Sequence, residues 1–133
     1  MKSFALAFSL ALLGAAVAIA QVQTMPRLAA IVPADVASVT DYYKQNVYDT
    51  ADQKLGQIVD LPVHKDGRIP VAMISVGGFL GLKSKYIAAP FDALQLLERK
   101  SKPYLVLDVT RQTLQSAVEF TYNRVAKRWE PIE

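Results

Sequence analysis

Cysteine is absent from the 133 residues. No disulfide can hold the fold, and no thiolate can act as a nucleophile or metal ligand. A lipoprotein anchored through a cysteine after the N-terminal apolar run is not expected either. Histidine occurs once, at His64, and tryptophan once, at Trp129. A lone histidine cannot build a metal centre, which needs several convergent ligands. Charge of one sign is missing too. Fifteen Lys and Arg stand against twelve Asp and Glu, a net +3. That balance is unlike the concentrated basic face of a nucleic-acid binder. No repeat and no low-complexity segment is present.

The one long apolar run lies at the start. Met1-Lys2 is a short positive lead, residues 4–18 form an uncharged Ala- and Leu-rich core, and Ala18-Ile19-Ala20 ends it with small residues. This is the three-part pattern of a secretory signal peptide, with cleavage expected before Gln21. The run is short of the ~20 residues that span a bilayer. Residues 1–20 are thus expected to be a signal peptide and the mature protein to be periplasmic. Loss of Lys2 alone takes the fifteen basic residues to fourteen, a net +2 against twelve acidic. Residues 21–41, with Pro26 and Pro33, read as a flexible tether. A short helix is expected within residues 34–44, capped by Asp35 or Thr40.

Strand signals fill the rest of the chain. Asn46-Val47-Tyr48 is a short strand, and residues 49–54 are a polar turn. Leu55 to His64 reads as a strand with Val59, Leu61 and Val63 on one face. Asp66-Gly67 is a hairpin signal. Ile69 to Val76 is apolar on both faces, as in a strand covered on both sides. Tyr86 to Ala89 and Tyr104 to Val109 complete five strands. Residues 91–97 read as a bend in which Leu94, Leu96 and Leu97 cap the sheet. Residues 98–103 read as a solvated hairpin connection. Thr110 is the expected cap of a helix over 111–117. Residues 123–133 form a C-terminal tail with aromatic anchors. Ile74, Val76, Leu105 and Leu107 are expected in the core.

Gly77-Gly78-Phe79-Leu80-Gly81, flanked by strands and followed by Pro90-Phe91-Asp92-Ala93-Leu94, resembles the PRC-barrel family. The runs Asn46-Val47-Tyr48-Asp49, Leu55-Gly56-Gln57-Ile58 and Leu105-Val106-Leu107-Asp108 fit the same pattern. The resemblance covers residues 42–122. It implies an all-β fold, a small PRC-type β-barrel of about five or six strands with a short C-terminal helix. It also implies a non-catalytic adaptor, since the barrel of the ribosome-maturation factors and of the reaction-centre H subunit holds another protein.

Catalytic patterns are weak beside this resemblance. Asp60 and Asp66 flank His64, but two carboxylates and one histidine at strand ends are ordinary surface chemistry. Ser75 lacks the strand-to-helix elbow that exposes a nucleophile. The glycine loop runs into a strand, whereas a phosphate loop opens a helix. Asp49, Asp52 and Asp60 lack calcium-loop spacing. No enzyme, cofactor or metal is therefore expected. The functional expectation rests on the loop. Phe79 and Leu80 either fold back to plug the end of the barrel or supply the apolar centre of a partner surface, with Lys83 and Lys85 as its basic rim. Relatives often carry Gly-Glu-Lys after this loop, where this chain has Lys83-Ser84-Lys85. The partner expected is a protein, acidic in character, with a homo-oligomer left open. The alternative is attachment of the Gly77–Lys85 loop to anionic lipid.

Overall fold

The computed structural model describes residues 14–15, 20, 25–77 and 84–133. The chain divides into residues 1–34 and 35–133. The described residues of the first unit form no helix or strand, and Met25, Leu28, Ile31 and Val32 are exposed. No helix among the described residues is long and apolar enough to cross a membrane.

The second unit opens with a 3-10 turn, Val39–Asp41. Ser38 caps it rather than Asp35 or Thr40. The Ser38 side chain accepts from the Thr40 N–H, and Asp41 accepts from the Ser38 N–H at 2.8 Å. Eight strands follow among the described residues: β1 Asn46–Tyr48, β2 Lys54–Asp60, β3 Val71–Val76, β4 Lys85–Pro90, β5 Gln95–Arg99, β6 Lys102–Val106, β7 Phe120–Asn123 and β8 Arg128–Pro131. One helix, α1 Arg111–Ser116, lies between β6 and β7. Its Thr110 cap accepts from the Thr113 N–H at 3.1 Å, and Leu114 is its buried residue.

The fold is all-β, a single sheet in the order β5-β6-β1-β2-β3-β4-β7-β8. β1 and β6 run parallel; the other neighbours are antiparallel. The outermost strands do not pair with each other among the described residues. Eight strands replace the expected five or six. β5 sits in the region read as a bend and a connection, and β8 falls within the 123–133 segment read as a tail.

The core follows from alternation. Val47, Leu55, Ile58, Ala72, Ile74, Val76, Ile87, Leu105 and Leu107 are buried together, with Leu114 sealing them from α1. Of the face expected for β2, Leu61 alone is in the core. The register shifts between Ile58 and Asp60, so Ile58 and Leu61, three apart, are both buried, while Val63 lies beyond the end of β2 and is 66% exposed. An extra residue in a strand reverses the side-chain phase beyond it. Gly56 is required by a close approach across β2–β3. A methyl group there would run into the Ser75 carbonyl oxygen and the Ile74 side chain.

The far end of the sheet folds over its own outer face. β4 meets β7 through one residue pair, Tyr86 and Phe120. Trp129 on β8 nevertheless donates its indole N–H to Asp60 at the end of β2, at 2.8 Å. Four inter-strand steps separate β2 from β8, about 19 Å if the sheet were flat. The contact therefore requires strong curling at the β4–β7 junction.

Candidate functional site

The expected loop bridges β3 and β4. Phe79, Leu80 and Lys83 lie outside the described residues. Gly77, with φ of 131°, turns the chain out of β3, and Ser84 leads it back into β4. Lys85 is half-buried, and its ammonium is engaged. It donates to the carbonyl oxygens of Gln115 and Ala117, both at 3.0 Å. These lie at the C-terminal end of α1, where carbonyls lack helical partners and a cation is favoured. Lys85 therefore ties the returning arm of the loop to the helix.

A second surface shows in the sequence only as aromatic anchors. The folded-over β7–β8 hairpin leaves an open cleft of about 570 Å³ lined by Met73, Phe120, Tyr122 and Trp129, together with Lys127 and Arg128. Tyr86 and Tyr122 meet the Trp129 ring edge-on at 5.2 and 5.4 Å. The hairpin turn is held by Asn123, whose side-chain oxygen accepts from the N–H groups of Val125 and Ala126. Glu130 accepts from Asn123 and Arg128, and both hold its carboxyl below the ordinary range. The signal in the sequence was the alternation that places Tyr122 and Trp129 opposite each other. It was obscured by the charged residues between them.

A third cluster stands on the outer face at β1, β6 and β5. Tyr48 stacks on Tyr104 with centroids 4.6 Å apart, and the Arg99 guanidinium lies 3.9 Å from the Tyr104 centroid. The Tyr104 hydroxyl donates to Asp52 at 2.6 Å, and Arg99 pairs with the same oxygen at 2.9 Å. The Tyr104 bond and then Arg99 lower the Asp52 pKa, while the same bond raises that of Tyr104. Asp52 itself sits at a φ of 60°, in a turn closed by Asp49, which accepts from the N–H groups of Ala51 and Gln53.

The remaining sequence candidates are dispersed. His64 and Asp66 approach to 3.1 Å at the exposed turn before β3, where Asp66 also pairs with Arg68. Among the described residues no three His, Asp or Glu side chains are grouped to hold a metal. Ser75 lies within β3, paired to Gln57 and Tyr86, away from any turn.

A family model, described as PRC-barrel domain, matches residues 34–111. No curated protein matches the chain. The matched segment holds β1 to β6 and ends at the first residue of α1, so the β7–β8 hairpin and its cleft lie beyond it.

Proposed function

The chain belongs to the PRC-barrel family, and from that premise we propose that it is a non-catalytic periplasmic adaptor that holds another protein. Family membership carries the reading and supports a small protein-interaction module. The curled sheet then serves as the family's small barrel, and the loop between β3 and β4 as its contact surface. Phe79 and Leu80 form the apolar centre, Lys83 and Lys85 the basic side. Because the Lys85 ammonium holds α1, Lys83 is the residue whose charge tunes association with an acidic partner. No cofactor takes part.

Pull-down from an envelope extract tests the proposal. Phe79→Ala with Leu80→Ala should keep the circular dichroism spectrum and lose the captured protein. Unfolding would make the loop a structural plug, and normal capture would place the surface elsewhere. Flotation of the same variant with anionic vesicles separates the lipid alternative, which requires the wild type to float and the variant to sink. Material recovered from the periplasm should begin at Gln21 by intact mass. A mass retaining residues 1–20 would remove the secretory part of the proposal.

A further inference from the structure

The two outer edges of the sheet are unequally protected. β8 is short and ends on Pro131, which offers no N–H to a further strand. β5 has five residues, no proline, and Leu97 46% exposed. Its free backbone groups can be assigned from the ladder. Arg99 and Lys102 flank a two-residue turn and close it as a hydrogen-bonded pair. Bonded and non-bonded pairs then alternate. Leu97 with Tyr104 and Gln95 with Val106 are bonded, and Glu98 with Pro103 is not. Pro103, having no N–H, fits that last assignment. The N–H and C=O groups of Leu96 and Glu98 therefore point away from β6. They have no other backbone partner among the described residues. Leu96, Leu97 and Glu98 border an open groove of about 380 Å³.

We propose that β5 pairs antiparallel with β5 of a second copy of this chain, about a two-fold axis at Leu97. Outward groups must meet outward groups, which restricts the register. Centring on Leu97 places Leu96 opposite Glu98 of the other copy, and the reverse, giving two bonded pairs. Centring on Glu98 would put two carboxylates face to face. Centring on Leu96 would call on the Leu94 N–H, which is already bonded to the Phe91 carbonyl. In the remaining register Gln95 faces Arg99, and the two Leu97 side chains meet at the closely spaced, non-bonded position. Leu97 neighbours Tyr104, which stacks on Tyr48, so the aromatic strip continues across the axis into its symmetry mate. The self-complementary register is what favours a second copy over an unrelated strand. This contact is separate from the β3–β4 loop and stands whether or not that loop binds a partner. A strand edge buries little beside the ~1,600 Å² of a standard interface, so the dimer is a weak one, seen at high protein concentration.

The absence of cysteine makes the test clean. In the full chain, Leu97→Cys should form a covalent dimer under mild oxidation. The two Cα atoms of a non-bonded pair lie ~4.5 Å apart, within disulfide range. Gln95→Cys should remain monomeric, because its symmetry mate is displaced by four residues, about 14 Å along the strand. Sedimentation of the wild type should show a concentration-dependent dimer. Glu98→Pro, which removes an outward N–H that the β5–β6 ladder does not use, should abolish it without loss of the circular dichroism spectrum. A wild type monomeric throughout a hundredfold concentration range overturns the proposal. So do equal cross-linking of both cysteine variants and the absence of cross-linking in either.

Discussion

Tyr104 serves three neighbours with one side chain. Its ring is sandwiched between Tyr48 and Arg99, and its hydroxyl is bonded to Asp52. The Asp52 carboxyl is held below its ordinary pKa, first by that hydroxyl and then by Arg99. A carboxyl whose folded pKa is depressed adds stability above its unfolded pKa. That contribution disappears as the pH falls through the folded value. The window therefore lies on the acid side of the ordinary carboxylate pKa. The raised pKa of Tyr104 acts on the alkaline side, where stability is lost as the pH rises through its folded value. Tyr104→Phe keeps the stack and removes the donor. The Asp52 titration, followed by carboxyl NMR, should then move up towards the ordinary range. An unchanged titration would assign the depression to Arg99 alone.

Among the elements, the β5–β6 hairpin carries an avoidable strain. Lys100 and Ser101 have φ of 51° and 60°, both left-handed. Two-residue hairpin turns of this form favour Asn-Gly, since other residues resist positive φ. Lys100→Asn with Ser101→Gly should raise stability by about 1 kcal/mol, read from the thermal midpoint. A lower midpoint would mean that the turn is held by contacts outside it. The same turn explains why β5 was illegible in the sequence. Glu98 to Lys102 is nearly all charged, so the hairpin connection was legible while the strand that leads into it was read as part of a bend and of the connection. Other elements were legible because local and tertiary preferences agree. Asn46–Tyr48 is a strand as read, Thr110 caps its helix, and Ile74, Val76, Leu105 and Leu107 are buried. The face of β2 was lost to the register shift between Ile58 and Asp60, which alternation alone cannot reveal.

At the scale of the whole 35–133 unit, the hydrophobic effect builds a core on the inner face of the sheet, and long-range pairing holds its strands together. β1 and β6 meet in parallel, with Val47 beside Leu105 across nearly half the chain. Such pairing was not readable locally, because a parallel partner has no turn to announce it. The candidate loop was visible through its glycines and aromatic. The Trp129 cleft was not, because the sequence does not show that residues 60 and 129 touch. That contact also makes the protein its own optical instrument. Trp129 is the only tryptophan, it is ringed by Tyr86 and Tyr122, and its indole is bonded to Asp60. Its emission therefore reports whether the C-terminal hairpin is docked, while circular dichroism reports the sheet as a whole. The two signals, recorded on one unlabelled sample, distinguish undocking of the β7–β8 hairpin from global unfolding.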